Sequence, residues 1–460
     1  MILEAISAIN KEMNDFIWGY GMCMVFVFIG IYYTIGTGFF QIIKFKLWWS
    51  STLKSVLKND KRPIDSDKKT ISQLQATTTS LAATIGTGNI VGVATAIVTG
   101  GCGAIFWMWV SALFGMMTKY AEIVLSMKYR RKNKNGQWIG GPMITIEHGL
   151  NCKWLAVLYA FFCLLASFGI GNLSQANSMS TALNTALHID VLHTGLITAI
   201  LVGIVIVGGI QRIGKVTEKF VPFMSIVYVV GCVIVIIMNV HVMGEVFVQI
   251  FKNAFGLEAA SGGVLGYTMS RAMRFGISRG VFSNEAGLGA SSIVHCATNE
   301  KNPVKQGLWG ICEVFIDTFV ICSITAFVIL TTNVVGTEDV NGELLTGAAL
   351  VIEAFSTEFG AYAGIFLSIC ITFFAFSTLV GWSFYGEKAV EYLVGYKYVI
   401  IYKVIFVLVI VLGAISSLDL VWDMSDTFNG LMAIPNLVML ILLSGEVFDI
   451  TREYKIKGNL

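Results

Sequence analysis

Apolar runs punctuated by short charged stretches follow one another along almost the whole chain, at residues 16–42, 71–98, 104–127, 153–187, 195–210, 219–243, 262–298, 306–332, 361–393, 398–417 and 426–448. A hydrocarbon core of roughly 30 Å takes about 20 apolar residues per helix, and only helices and closed barrels satisfy their backbone polar groups in lipid. The expected fold class is therefore an all-α polytopic membrane protein with eleven transmembrane helices. Only 13% of the residues are charged, about half the share in a soluble domain, and 460 residues leave no room for a large soluble domain beside eleven spans. A formal charge of +2 argues against a nucleic-acid surface. Met1 to Asp15 carries Glu4, Lys11, Glu12 and Asp15 without an apolar core, so no cleavable signal peptide is expected.

Orientation follows from lysine and arginine in short loops. Alternate connections, at Lys44–Lys69, Lys128–Lys153, Arg212–Lys219, Lys301–Lys305, Lys388–Lys403 and Arg452–Lys457, hold 25 of the 31 basic residues. The intervening loops are acidic or neutral, with Glu338, Asp339 and Glu343 in one and Asp419, Asp423 and Asp426 in another. This places the chain in the plasma membrane with the N-terminus outside and the C-terminus in the cytoplasm. Ile43 to Lys58 interleaves Trp48, Trp49 and Leu53 with lysines, as a helix lying at a headgroup surface does. The nine cysteines are scattered with no Cys-x-x-Cys pair, and the five histidines form no zinc or haem spacing, so buried free thiols and no cofactor are expected.

Two runs do not read as ordinary helices. The 71–98 run is rich in Thr and Ser and then carries Gly86-Thr87-Gly88-Asn89, and the 262–298 run is interrupted at Phe282-Ser283-Asn284-Glu285-Ala286-Gly287-Leu288-Gly289. Each glycine weakens a helix by about 1 kcal/mol relative to alanine, and irregular backbone inside a membrane is tolerated only where it is buried in protein or lines a cavity. The ten runs from 71 to 448 fall into two sets of five, and each set opens with one of these interrupted segments. That is the pattern of a five-plus-five inverted repeat with two broken helices, here preceded by one extra N-terminal helix. The domains expected are 1–70 (extra and interfacial helices), 71–243 (first repeat), 244–448 (second repeat) and 449–460 (cytoplasmic tail). Close helix packing at small residues is the alternative reading of the glycines.

The strings SLAATIGTGNIVGVATAI, GAIFWMW, KYAE, GGPM, SRGVFSNEAGLG and GWSFYGEK, in this order from about residue 80 to 390, closely resemble the sodium:alanine (alanine or glycine:cation) symporter family. The sequence departs from the usual pattern at Cys102, at Ile144-Thr145-Ile146 and at Ala290-Ser291-Ser292. The resemblance implies a leucine-transporter-like fold with one extra N-terminal helix, and cotransport of a small neutral amino acid such as alanine or glycine with sodium across the lipid bilayer. It implies no enzyme activity, no nucleic acid and no obligate protein partner. An amino-acid or ion uniporter or channel without sodium coupling is the alternative, and no metal, nucleophile or cofactor motif supports a membrane enzyme.

A zwitterion at mid-membrane needs donors for its carboxylate, acceptors for its ammonium and a wall for its side chain, and half-helix ends supply the first two without charged side chains. The first break would offer the amides of Gly86, Thr87, Gly88 and Asn89, and Phe282 and Ser283 would close the cavity from the second. Phe168, Gly171 and Gln175 form a third element: glycine admits the ligand to the backbone, and Gln175 can bond a carboxylate or tie two helices. Trp382 would cap the methyl pocket or belong to an interfacial belt. The resemblance implies one sodium site at the carbonyls of Ala82, Ile85 and Ala375 with the Thr378 hydroxyl. A second would combine the Thr84 carbonyl, the Asn89 amide and Ser283, whose alternative role is helix–helix hydrogen bonding. Asp317 and Glu285, ionisable within spans, are functional candidates or partners for Arg271, Arg274 and Arg279, which are expected to face a vestibule. Lys119 and Glu122, near the inner end of a span, read as snorkelling side chains.

Overall fold

The computed structural model describes residue 10 and residues 12–54, 70–256, 262–338, 342–416 and 418–456; for 262–265 and 418–424 only the backbone is described. Most of the basic run from 44 to 69, together with Asp339 and Lys457, lies outside these residues. The chain is built from helices: α1 (Tyr20–Gly36), α2 (Gln73–Thr84), α3 (Val91–Gly100), α4 (Ala104–Tyr129), α5 (Lys153–Phe168), α6 (Ser174–Leu187), α7 (Val191–Val207), α8 (Gly209–Met238) and α9 (Gly262–Asn284). The order continues with α10 (Ala290–His295), α11 (Pro303–Val314), α12 (Ser323–Thr331), α13 (Gly347–Phe359), α14 (Ala363–Val394), α15 (Val399–Ile415), α16 (Leu418–Leu442) and α17 (Ser444–Ile456). A small antiparallel hairpin pairs β1 (Arg131–Lys132) with β2 (Trp138–Ile139).

Among the described residues seven helices are long and apolar enough to cross a membrane, or eight when the α2–α3 pair, bent by 61°, counts as one span. Helix α7 is apolar but only 17 residues long. Helices α4 and α9 are 26 and 23 residues long but carry Lys119, Glu122 and Lys128, and Arg271, Arg274 and Arg279, respectively. Polar residues that serve the interior thus lower the apolar score of the helices that line it. The exposed apolar residues on α7, α8 and α15, such as Ile200, Ile226 and Leu408, form the surface that lipid covers.

Helix α4 lies at the centre, packed against α1, α9 and α11. Helix α2 begins at a capping box, in which Ser72 Oγ accepts from the Gln75 N–H and Gln75 Oε1 accepts from the Ser72 N–H, each at 3.1 Å. Close approach of α2 and α14 depends on Gly381, where a Cβ would stand 2.8 Å from the Ala83 nitrogen. The extra helix α1 is tied to the rest through Tyr33, whose hydroxyl donates to the Leu440 carbonyl at 2.6 Å. Its Phe26 ring lies where a Cβ on Gly287 would meet it at 2.5 Å, so α1 seals one side of the second interruption.

Several expectations change. Arg212, Lys215 and Lys219 stand in the first turns of α8 rather than in a loop, because Gly208 and Gly209 alone make the turn from α7. Met243–Ala254 and α13 are helical where loops were read. In the expected interfacial segment Trp48 is buried, with its indole N–H on the Gln41 carbonyl at 2.9 Å and its ring on Phe315, while Ile43, Phe45 and Trp49 keep substantial exposure. The nine cysteines are free, and seven of them are buried, as expected.

Gly381→Val places a branched side chain against Ala83 and should cost about 1–3 kcal/mol, the usual range for overpacking. A lowered unfolding temperature of the detergent-solubilised protein is the expected result; an unchanged value means the α2–α14 contact has slack.

Candidate functional site

The first interruption is a built turn. Helix α2 stops at Thr84, Ile85 and Gly86 are extended, Thr87–Asn89 make a single 3-10 turn, and α3 departs after it. A continuous helix would give the Gly86 N–H to the Ala82 carbonyl and the Thr87 N–H to the Ala83 carbonyl. Here the first goes to Asn89 Oδ1 at 2.9 Å and the second to Gln175 Oε1 at 3.4 Å. The last carbonyls of α2 are therefore released from helical donors. The Ile85 carbonyl accepts from Ser377 Oγ and Thr378 Oγ1 of α14, both at 3.5 Å. Glycine is required at position 86, because a Cβ there would stand 2.6 Å from Thr378 Oγ1 and 3.4 Å from Gln175 Oε1.

Gln175 also receives the Thr87 hydroxyl at 3.1 Å and gives its own amide to the Ile170 carbonyl at 3.0 Å. That carbonyl belongs to a one-turn π-helix, Gly169–Leu173, between α5 and α6. A second π-helix, Phe315–Cys322, joins α11 to α12 and carries Asp317. Such wide turns aim side chains and backbone off the regular helical track and are frequent at functional sites.

Asp317 is fully buried and joins the first interruption to the end of α9, where the second begins. Its Oδ1 accepts from Asn89 Nδ2 at 2.6 Å, and its Oδ2 accepts from Ser283 Oγ at 2.9 Å and Thr318 Oγ1 at 2.8 Å. Asn89 thus faces two ways, capping Gly86 through its oxygen and reaching Asp317 through its nitrogen. Phe282 precedes Ser283 on α9 and packs on the first interruption, where a Cβ on Gly88 would stand 3.2 Å from its ring. A small cavity lined by Trp18, Arg274, Ser278, Arg279 and Asp426 ends on Phe282.

The second interruption runs from Glu285 to Gly289, with positive φ at Glu285 (57°), Gly287 (98°) and Gly289 (78°). Its free groups are met by side chains from α4, α5 and α16. The Asn284 carbonyl accepts from Lys119 Nζ at 2.9 Å, the Leu288 carbonyl from the Tyr159 hydroxyl at 3.0 Å, and the N–H groups of Gly287 and Gly289 bond Glu122 Oε1 at 2.8 and 3.1 Å.

The residues picked from the sequence separate into groups. Gly86, Thr87, Gly88, Asn89, Gln175, Phe282, Ser283, Ile85 and Thr378 are brought together around Asp317 and the first turn. Gly171 and Trp382 meet face to face, since a Cβ on Gly171 would stand 2.5 Å from Trp382 Cβ. Ala82 and Thr84 end α2, and Ala375 lies on α14 one turn before Thr378. Phe168 turns its ring to Tyr402 and Phe406 of α15, at centroid distances of 5.4 and 6.1 Å. Ser283, Asn89 and Gln175 do make helix–helix hydrogen bonds, and those bonds are what assemble the site.

Three readings are corrected. Trp382 is not an interfacial belt residue: it is fully buried and donates its indole N–H to Glu285 Oε1 at 3.0 Å. Asp317 and Glu285 are not the counterions of the α9 arginines, because Arg274 pairs with Asp15 at 2.7 Å, Arg279 pairs with Asp426 at 3.0 Å and Arg271 donates to the Thr99 carbonyl. Arg274 and Arg279 do line the small cavity above Phe282, in line with the vestibule expectation. Lys119 and Glu122 do not snorkel; both are fully buried. Sequence spacing offered no sign of this, because their partners Asn284, Gly287 and Asn436 lie on α9, the second interruption and α16, far along the chain.

The comparison of the whole chain with known families decides its identity. The model of the sodium:alanine symporter family matches residues 3–459. This chain belongs to that family. It is a sodium-coupled amino-acid symporter rather than an enzyme, and sodium is its coupling ion. It is 44% identical to the sodium/alanine symporter AgcS of Methanococcus maripaludis over 98% of each chain. It is 38% identical to the probable sodium/glutamine symporter GlnT of Bacillus subtilis, over 98% of this chain and 91% of that one. Among solved structures, MhsT in complex with L-phenylalanine superposes with a TM-score of 0.58 at 15% identity, covering 82% of this chain and 90% of that one. A manganese transporter of Eremococcus coleocola superposes with a TM-score of 0.51 at 13% identity, over 82% and 78%. At such identities these structures establish the shared fold alone.

Gly86→Ala puts a methyl group against Thr378 Oγ1 and forces the two apart. Equilibrium binding of labelled alanine in sodium buffer should fall at least tenfold while the monodisperse elution of the detergent-solubilised protein is kept. Unchanged binding would place the site away from this turn.

Proposed function

We propose that the symporter imports small neutral amino acids, alanine and glycine foremost, with sodium by alternating access around the two interruptions. The observation that carries this is Asp317, one buried carboxylate hydrogen-bonded to Asn89 of the first interruption and to Ser283 in the last turn of α9, just before the second. A sodium ion there would find the Asp317 carboxylate, the Ser283 hydroxyl and the Thr84 carbonyl, and the Asn89 oxygen once that amide turns away from Gly86. A second ion would sit among the carbonyls of Ala82, Ile85 and Ala375 and the Thr378 hydroxyl. The substrate carboxylate would meet the amides of the turn from Gly86 to Asn89, of which those of Gly86 and Thr87 are now held by Asn89 and Gln175, with Gly171, Phe282 and Trp382 around its side chain.

The same proposal includes eleven spans, grouped as residues 71–243 and 244–448 after an extra N-terminal helix, with the interrupted helices opening the two sets. The order of α2–α3 and α9–α10 supports that grouping, as does the packing of α1 on the second interruption. Positive charge in alternate connections supports a cytoplasmic C-terminus for the 449–460 tail. Movement between states would open the cavity above Phe282 on the outer side.

Small substrates are favoured because Trp382 packs directly on Gly171, so a larger side chain would have to displace the indole. Relatives named for alanine and for glutamine bracket the range, and a tight wall selects the smaller. A few extra methylenes cost about 1–3 kcal/mol in a packed site, and 1.4 kcal/mol is about tenfold in affinity.

Counterflow of labelled alanine in proteoliposomes tests the function: it should require sodium, be competed by glycine and serine, and resist leucine. Sodium-independent exchange would favour a uniporter. Trp382→Ala opens space beside Gly171 and should let valine and leucine compete at least tenfold better while alanine weakens. An unaltered size ranking in that variant would move selectivity to another wall.

A further inference from the structure

The Glu122 carboxyl group is fully buried at the centre of the protein, and its two oxygens are treated very differently. Oε1 accepts three N–H groups, from Gly287 at 2.8 Å, Gly289 at 3.1 Å and Asn436 Nδ2 at 2.7 Å. Oε2 has no hydrogen-bond partner, and neither does Oδ1 of the same Asn436 side chain. The two groups are already joined at one end by the Asn436 Nδ2 bond, and the unmatched atom at the other end of each is an acceptor. Among the described residues no lysine, arginine or histidine forms an ion pair with Glu122: Lys119, one turn earlier on α4, points its ammonium at the Asn284 carbonyl (2.9 Å) and at Glu313 (3.4 Å).

We infer that Glu122 is a proton-binding site, holding its proton on Oε2 and donating it to Asn436 Oδ1, so that carboxylic acid and amide close a two-bond ring. One proton gives both unmatched atoms a partner. An ionised Glu122 would instead leave two bare acceptors and a buried charge with no cation paired to it, an unfavourable arrangement. A sodium ion bridging the same two oxygens would need further oxygen ligands. Five of the six carbonyls from Asn284 to Gly289 already accept a hydrogen bond, Asn284 from Lys119, Glu285 from the Leu288 N–H, Gly287 from Asn436, Leu288 from Tyr159 and Gly289 from Ser292, which leaves a cation at most that of Ala286.

The ionisable groups facing Glu122 are Lys119 on its own helix, Tyr33 from α1 and Tyr159 from α5; α16 presents the Asn436 amide. Lys119 alone is cationic, and its ammonium is committed to Asn284 and Glu313. Glu122 touches none of the oxygens proposed for sodium, so the proton site stands apart from them. It sits where α4, α16 and the turn between α9 and α10 meet. Loss of the proton breaks the bond to Asn436 Oδ1 and loosens α16 from that turn, which links proton occupancy to movement of the second broken helix.

Infrared spectroscopy of the reconstituted protein in sodium buffer at neutral pH, in light and heavy water, tests the assignment. A deuterium-sensitive carboxylic C=O band should be present in the wild type and lost in Glu122→Gln, whose amide can keep both bonds to Asn436. The number of sodium ions bound per protein should not change in that variant. Superimposable spectra of wild type and variant would overturn the proposal, and so would the loss of one bound sodium, which would make the ligand a metal cation. Should Glu122→Gln not fold, Asn436→Leu removes the acceptor and should shift the same band; an unmoved band overturns the ring.

Discussion

Interrupting two helices inside a membrane frees N–H and C=O groups that have no water to turn to, and each unmatched group costs several kcal/mol. Everything distinctive in the interior answers that constraint. The first interruption is satisfied by neutral oxygens, Asn89 Oδ1 and Gln175 Oε1, together with hydroxyls from α14. The second is satisfied by an ammonium, a phenol and a carboxyl group, from Lys119, Tyr159 and Glu122. Asp317 then ties one turn to the other. In the proposed transport cycle, neutral partners at the first turn would exchange their bonds for those of a passing zwitterion and ion at little electrostatic cost, whereas the partners of the second turn would hold it together.

Buried charge is arranged to the same end. Glu313 of α11 accepts from Ser80 of α2 at 2.8 Å, pairs with Lys119 of α4 at 3.4 Å and bonds His295 of α10 at 2.7 Å. It therefore fastens the halves of both broken helices that lie on the side of Gln73 and His295. Removing one member of so deep a set leaves the others uncompensated, which is far more damaging than losing an exposed pair. In the proposed alternating-access cycle such a body would move as a unit around a fixed site.

Much of this was legible in the sequence. Glycine pairs flanked by Thr, Ser and Asn inside runs too long to be loops located both turns, and Ser283, Asn89, Gln175 and Thr378 were picked from them. Asp317 could be singled out because a carboxylate in an apolar run demands a reason, but two of its three partners, Asn89 and Ser283, lie on segments far from it in the chain. The π-helices at Gly169–Leu173 and Phe315–Cys322 leave no periodic signature strong enough to read. Lys119 and Glu122 were misread because their position near a span end fits snorkelling equally well. Only the packing of α9, α11 and α16 around α4 shows that neither can reach water. Arg279 and Asp426 illustrate the converse: the acidic loop and the basic helix were both visible, and only the fold joined them at 3.0 Å.

Asp317 as the link between the two turns is the central claim, and the sodium dependence of alanine affinity tests it most directly. If ion and substrate share the bonds around Asp317, each must strengthen the other by the same factor. Titration of alanine calorimetrically at low and saturating sodium should show affinity rising at least tenfold with sodium in the wild type, and by much less in Asp317→Asn, which keeps the shape of the side chain but loses its charge. Alanine affinity indifferent to sodium in the wild type, or coupling of full size in Asp317→Asn, would contradict the account.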